Sequence, residues 1–216
     1  HPPLPLLLRY WPHPKIFLVV VLVRLSAGAM LILKTCPSKH RLGNGGNMTQ
    51  KLYLLRHAEA EPWNPLGNDF SRSLSSDGRR HAEMVSKWAF EKLVPPDTIL
   101  CSPAKRTRET LAPILSFWPR LLATTDYVDS MFGASMDMLL TLADDAFSYS
   151  ECLLMVGHNP GIGNMLANLA RPVEAATPLK MGTGTLAIIE FPDGFKQKPH
   201  AAHLLQLVEK STFSFN

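Results

Sequence analysis

Arginine and histidine residues follow three short apolar segments of this sequence. Arg56 and His57 come directly after the first segment, Arg106 lies shortly after the second, and His158 follows the third. Short apolar runs bounded by polar residues predict strands that are buried on both faces of a parallel sheet. Because ligands of open α/β sheets bind outside the carboxyl ends of the strands, we expect these four side chains to meet in one crevice.

Two imidazoles and at least two guanidiniums, with no carboxylate cluster near them, suit a phosphoryl group. Arginines bind phosphate oxygens through paired hydrogen bonds, and a neutral imidazole can attack phosphorus to form a covalent phosphohistidine that water then hydrolyses. The sequence has no His-Glu-x-x-His motif, no carboxylate run for magnesium and no glycine-rich Walker loop. We therefore predict a site that works without a metal or another cofactor.

Helices with recognisable starts follow the first two predicted strands. Ser75 or Ser76 is the expected N-cap of the first helix, whose apolar residues recur at helical spacing. Ser102 is the expected N-cap of the second helix, with Pro103 at its first position. A helix that begins directly after a strand presents free N–H groups to the crevice, and this favours an anion there.

The rest of the chain continues the alternation of strands and helices. A third strand is predicted at 121–128, a short helix at 136–142, and another helix after the strand at 152–156. Two final strands, at 185–191 and 203–209, are joined by a turn and predicted to pair. This order predicts an α/β fold with a mostly parallel central sheet.

Residues 1–47 differ from the remainder in charge and hydropathy. They hold six of the 22 Lys and Arg residues and none of the 18 Asp and Glu residues, so residues 48–216 have a net charge of −2. The basic character of the whole chain therefore belongs to this leader. Without a basic patch in the remainder, a nucleic-acid partner is not predicted.

Three interpretations of the 1–47 leader remain open. Its apolar run, residues 16–33, is close to the minimum length of a membrane-spanning helix, although Arg24 in the middle is costly there. The run also resembles a secretory signal, with small residues near Ala27 for cleavage. We favour the third interpretation, in which the leader is not part of the fold, because Met48 directly precedes the first strand. Membrane contact is then expected only if the leader is retained.

The three cysteines are widely spaced and include no Cys-x-x-Cys pair, so neither a disulfide framework nor a zinc site is predicted. This pattern favours a reducing compartment. We expect a cytoplasmic location, with a membrane-anchored or exported protein as the alternative if residues 1–47 direct it.

Three motifs in order resemble the histidine phosphatase superfamily, which has the phosphoglycerate-mutase-like fold. They are Leu-Leu-Arg-His-Ala-Glu near residue 57, Ser-Pro-x-x-Arg-x-x-x-Thr from residue 102, and Gly-His-Asn-Pro from residue 157. Ala58 directly after the histidine, the Glu59-Ala60-Glu61 tail and the Arg72-Ser73-Leu74 stretch are most similar to the SixA-type phosphohistidine phosphatases. The resemblance covers residues 48–209.

The resemblance implies a three-layer α/β/α sandwich formed by one domain, residues 48–216, with His57 as the nucleophile. Arg56, Arg106 and His158 would bind the phosphate and stabilise the transition state, and Arg72 would lie near the pocket. The glutamate that usually supplies the proton in this superfamily has no counterpart between residues 126 and 138. Asp129 and Glu59 remain as the possible general acids.

The resemblance thus predicts a monomeric, metal-independent phosphatase that removes phosphate from phosphohistidine on a protein through a covalent enzyme intermediate. Two alternatives stay open: a phosphomonoesterase of the same superfamily that acts on small phosphorylated molecules, and a phosphate-binding regulatory module without turnover. The expected partner is accordingly a phosphorylated protein or a small phosphorylated substrate.

Overall fold

The computed structural model describes residues 17–21, 32–36, 49–63, 65, 67–171 and 179–213. The chain divides into two compact units, residues 1–44 and 45–216. In the first unit, β1 (Phe17–Val21) pairs antiparallel with β2 (Ile32–Cys36). The rest of the 1–47 leader lies outside the described residues, so its three interpretations remain predictions. None of the described helices is long and apolar enough to cross a membrane.

The second unit contains a seven-stranded sheet. Its strands are β3 (Gln50–Arg56), β4 (Thr98–Cys101), β5 (Thr125–Tyr127), β6 (Cys152–Gly157), β7 (Ala170–Arg171), β8 (Leu186–Phe191) and β9 (Ala202–Val208). Their order across the sheet is β5-β4-β6-β3-β8-β9-β7. Among these strands β8 alone runs against its neighbours, which confirms a mostly parallel sheet and the pairing of the two final strands.

Four α-helices cover the two faces of this sheet: α1 (Ser76–Lys92), α2 (Lys105–Phe117), α3 (Met136–Phe147) and α4 (Gly161–Leu169). Successive side chains of a strand point to opposite faces. In β3, Tyr53 and Leu55 accordingly pack in one apolar cluster with α1 and α2, whereas Leu52 and Leu54 pack in the other with α3 and α4. The α/β/α layering predicted from the family resemblance is confirmed.

The start of α1 ties this helix to the segment that follows His57. The Ser75 hydroxyl caps the helix by accepting a hydrogen bond from the Gly78 N–H at 3.0 Å, as predicted, and the Ser75 N–H donates to the Glu59 carbonyl at 3.0 Å. A Cβ atom at Gly78 would clash with that same carbonyl. Glycine is therefore required where the helix crosses this segment.

The predicted cap of α2 is wrong. The helix begins at Lys105 with Ala104 in the N-cap position and without a side-chain cap. Ser102 is still held by the sheet, because its N–H donates to the Val156 carbonyl at 2.9 Å. Its hydroxyl is bonded to a histidine ring instead of to the helix, and this places Ser102 in the site described below.

The predicted strand at 121–128 is also largely wrong. Residues Pro119–Thr124 form a 3₁₀ helix that starts with proline, and only the three residues of β5 pair with β4. Pro119, just before the predicted strand, favours the start of a helix, and the helical turn that it begins continues into residues 121–124. The helix predicted at 136–142 exists but continues to Phe147.

Candidate active site

The site lies where three neighbouring parallel strands end. Because β6 lies between β3 and β4, the residues that follow these strands come together as predicted. The His57 N–H donates to the Gly157 carbonyl at 3.1 Å, and the His57 carbonyl accepts from the Gly184 N–H at 3.0 Å. The backbone around His57 is thus fixed from both sides.

His57 is a neutral and oriented imidazole. Its Nδ1 lies 2.7 Å from the Ala58 carbonyl oxygen, so Nδ1 carries the proton and Nε2 holds the free electron pair. The ring is only 7% exposed. Burial lowers the pKa of His57 from 6.5 to about 4; the Ala58 hydrogen bond opposes this shift, and the charges of Arg106, Arg56 and Arg72 add to it. His57 therefore has the properties of a nitrogen nucleophile at neutral pH.

His158 is the second neutral imidazole. Its ring centroid lies 5.2 Å from that of His57, and its Nε2 is 2.8 Å from the Ser102 hydroxyl oxygen. Burial, followed by the charge of Arg106 and the proximity of His57, lowers the pKa of His158 to about 3. If the Ser102 hydroxyl donates to Nε2, the ring proton of His158 lies on Nδ1 and can be donated to a ligand.

Two guanidiniums, on half-buried Arg56 and buried Arg106, complete the set. Arg56 donates from Nη1 to the Met181 carbonyl at 2.9 Å, and Arg106 donates from Nη1 and Nη2 to the carbonyl and carboxylate of Asp69 at 2.7 and 2.9 Å. Burial lowers the pKa of both arginines. The site is therefore positively charged although it is largely removed from water.

Three side-chain nitrogen atoms of this site have no hydrogen-bond partner in the described part of the chain. They are Nε of Arg56, Nε of Arg106 and Nδ1 of His158, and all three are buried. Buried polar atoms in proteins almost always have a partner, so unpaired nitrogens on three neighbouring residues of one site indicate the place of a ligand. Three donors at a positively charged site suit the oxygens of a phosphate group.

Asp69 is a member of the site that the sequence analysis missed. It accepts from Arg106 through one carboxylate oxygen and from Arg72 Nε at 2.9 Å through the other. Burial alone would raise the pKa of the Asp69 carboxyl, but the Arg72 hydrogen bond and the charges of Arg106 and Arg72 lower it below its ordinary value. The three-residue spacing from Asp69 to Arg72 is the signal that could have pointed to this pair.

Arg72 therefore lies beside the pocket, where its charge contributes to the low pKa of His57. It also donates to the Glu61 carbonyl at 3.0 Å. Its contacts are those of a group that positions Asp69, and direct binding of substrate by Arg72 remains a prediction.

The two possible general acids lie in different surroundings. The Glu59 carboxylate accepts from the Ser75 hydroxyl at 3.1 Å, at the start of α1. Asp129 is exposed, and it begins the 3₁₀ turn Asp129–Met131. Within the described residues no hydrogen bond joins either carboxylate to His57 or His158, and the acid role of both stays a prediction.

Comparison with known proteins relates part of this chain to a family. The model of the histidine phosphatase superfamily (branch 1) matches residues 52–127. A protein from Agrobacterium tumefaciens assigned as the phosphohistidine phosphatase SixA is 28% identical, with a TM-score of 0.63 over 74% of this chain and 97% of that chain. A protein from Nakamurella multipartitia with the same assignment is 27% identical, with a TM-score of 0.63 over 74% and 96%.

Two further comparisons bear on the fold and on the extent of the match. The protein histidine phosphatase SixA complexed with tungstate shares the fold at 17% identity, with a TM-score of 0.62 over 76% of this chain and 99% of that chain. An uncharacterized protein of Mycobacterium tuberculosis is 29% identical over 106 residues, which are 49% of this chain and 63% of that protein. The match thus spans less than two thirds of this curated relative.

The fold and the similar proteins support a phosphatase, and four residues predicted for its site, Arg56, His57, Arg106 and His158, lie together where the strands end. Residues 52–127 thus match the histidine phosphatase superfamily, and the chain is similar to two proteins assigned as SixA-type phosphohistidine phosphatases, in agreement with its motifs.

Proposed function

We propose that this protein hydrolyses phosphohistidine on a protein substrate, without a metal, through a covalent intermediate on His57. The observation that carries the proposal is the group of three open donors, on Arg56, Arg106 and His158, around a neutral imidazole. The similarity to proteins assigned as phosphohistidine phosphatases supports the choice of substrate.

In this proposal the unpaired nitrogens bind the phosphoryl group. Nε of Arg56, Nε of Arg106 and Nδ1 of His158 hold the phosphoryl oxygens, and this compensates for the loss of water from them. In the transition state the same donors stabilise the charge that spreads over these oxygens.

The reaction then follows in two displacements. The substrate imidazole takes a proton from solvent on its other ring nitrogen. The electron pair on His57 Nε2 then attacks phosphorus, the P–N bond breaks, and the substrate ring keeps that electron pair and leaves as neutral imidazole. Water next attacks the phosphorus on His57. The P–Nε2 bond returns its electron pair to the ring, phosphate leaves, and the proton released by water goes to solvent.

The leaving group favours phosphohistidine over an ester. An alkoxide is a strong base and needs a proton as it leaves, and a positioned acid typically contributes a factor of about 10² to 10⁴. Imidazole is a far weaker base. Because no carboxylate among the described residues is placed as an acid beside His57 and His158, a phosphoramidate substrate suits this site better.

The test compares kcat/KM for a phosphohistidine peptide and for a sugar phosphate, with the His57→Ala protein as the blank. We expect faster turnover of the peptide, and a modest effect of Asp129→Asn on it. Equal values, or a large loss with Asp129→Asn on both substrates, would assign a general phosphomonoesterase. Phosphate binding without any turnover would assign a regulatory module.

A further inference from the structure

We propose that Phe70 and Phe132, the aromatic rim of this site, select substrates whose leaving group is a flat aromatic ring. The proposal rests on the proposed function and names the part of the pocket that would recognise the imidazole of phosphohistidine. It concerns two residues that neither the motifs nor the phosphate-binding donors include.

The rim is in direct contact with the residues of the site. The Phe132 ring lies 5.6 Å from the His158 ring at an interplanar angle of 89°, and 5.8 Å from the guanidinium carbon of Arg106. The Phe70 ring lies 5.3 Å from Phe132 at 75°. Phe132 is therefore placed between a phosphate-binding histidine, a phosphate-binding arginine and a second aromatic ring.

Both rings remain in contact with water. Phe132 is 40% exposed and Phe70 is 39% exposed, although the neighbouring His158 is only 8% exposed. Apolar surface that is exposed beside a buried polar site is in contact with water. A ligand that covers this surface removes it from water, and the hydrophobic effect then contributes to binding. The rim thus marks the opening of the pocket, on the side where the phosphate is joined to the rest of a substrate.

The backbone on both sides holds the rim in place. Phe70 belongs to the 3₁₀ turn Asp69–Ser71, whose first residue binds Arg106. The Phe132 N–H donates to the Asp129 carbonyl at 3.1 Å. Further along the same segment the Ala134 carbonyl packs so closely on Gly161 that a Cβ atom there would clash with it. A rim fixed in this way is organised before the ligand arrives, which reduces the entropy lost on binding.

The geometry of the reaction indicates what would touch the rim. In phosphoryl transfer the attacking and leaving atoms lie roughly in line, so the leaving group lies across phosphorus from His57 and toward the opening. Aromatic rings pair with aromatic rings in edge-to-face or offset geometry, and this favours them over saturated rings by about 2- to 13-fold in affinity. The imidazole of phosphohistidine is such a ring, whereas the sugar of a sugar phosphate is not.

Phe132 has a simpler possible role, which is to cover Arg106 through its cation–π contact. The two roles differ in what they predict. A cover for Arg106 affects every phosphate ligand to the same extent, including inorganic phosphate. A rim that selects the leaving group affects only ligands that carry an aromatic ring.

The experiment measures binding to the full chain by titration calorimetry, so that it does not depend on turnover. The probes are benzylphosphonate, cyclohexylmethylphosphonate and inorganic phosphate; the first two differ only in whether the ring is aromatic. The variants are Phe132→Leu, Phe70→Leu and Phe132→Tyr. Phe90→Leu is the matched control, because Phe90 is 46% exposed and stacks on Phe117, away from the rim.

We expect the unchanged protein to prefer benzylphosphonate by about 2- to 13-fold. Phe132→Leu and Phe70→Leu should reduce this preference while inorganic phosphate binds as before, and Phe132→Tyr and Phe90→Leu should preserve it. An equal loss for all three probes in Phe132→Leu, or no preference in the unchanged protein, overturns the rim and leaves the proposed function standing. Failure of all three probes to bind the unchanged protein overturns both.

Discussion

The low pKa of His57 makes the stability of the fold depend on pH in a way that one substitution can isolate. We predict that His57→Gln makes the protein less sensitive to acid. Folding lowers the pKa of His57 from 6.5 to about 4, so the unfolded chain binds a proton there that the folded chain rejects. Stability from this group is present above pH 6.5 and is lost as the pH falls toward 4.

The size of the effect follows from these two pKa values. Between pH 7 and pH 5 the ordinary imidazole of the unfolded chain becomes almost fully protonated, while buried His57 remains almost fully neutral. Because of this difference in proton binding, the free energy of unfolding falls by about 2 kcal/mol between pH 7 and pH 5. A glutamine at position 57 does not titrate, so this part of the pH dependence should disappear.

Urea unfolding at pH 5, 6 and 7 measures the effect. The free energy of unfolding of the unchanged protein should fall by about 2 kcal/mol more than that of His57→Gln between pH 7 and pH 5. Subtracting the two curves removes the carboxylates that both proteins share and most of the contribution of His158, whose pKa is lowered first by burial and by Arg106 and less by His57. His203→Gln, at an exposed position on β9, is the control and should follow the unchanged protein. A difference under about 0.5 kcal/mol for His57→Gln would refute the argument from burial and charge.

Two further predictions concern the chemistry of the site. Rapid quenching with labelled substrate should trap a phosphoenzyme that is stable in alkali and labile in acid. His57→Ala should lose both the label and turnover, whereas His158→Ala should bind substrate but turn over slowly. Label that persists in His57→Ala would show that another residue is the nucleophile. Arg72→Gln should raise the pKa of His57 in an NMR titration by less than about one unit, because it removes one positive charge that is partly screened by solvent. Arg79 pairs with Glu109 instead, so Arg79→Gln is the control and should leave the pKa of His57 unchanged.

The parts of the site that follow strands could be predicted from the sequence. A short apolar run that ends in Arg-His or Gly-His fixes both a buried strand and the position of the polar residue after it. Parallel pairing then brings the ends of β3, β4 and β6 together, so Arg56, His57, Arg106 and His158 could be predicted without coordinates. The N-cap of α1 could also be predicted from the sequence, because Ser75 precedes an amphipathic run.

The parts that depend on contacts between distant segments could not be predicted. Ser102 has the residue type and spacing of an N-cap, yet its hydroxyl is bonded to His158, which lies 56 residues further along the chain. Asp69 and Phe132 lie in loops and 3₁₀ turns, where local sequence patterns carry little information about position. Their roles follow only from the partners that the fold supplies, Arg106 for both and His158 for Phe132.

The charges around Asp69 determine whether this residue could replace the glutamate that usually donates the proton in the superfamily. Asp69 is the carboxylate that pairs with Arg106, but Arg72 and Arg106 lower the pKa of its carboxyl, so that it is ionised at neutral pH and has no proton to donate. The pair that positions Arg106 therefore also excludes Asp69 as a general acid. A site without a general acid is best suited to a substrate whose leaving group is a weak base and can itself contact the protein. An imidazole in contact with Phe132 meets both conditions, which connects the missing acid to the aromatic rim.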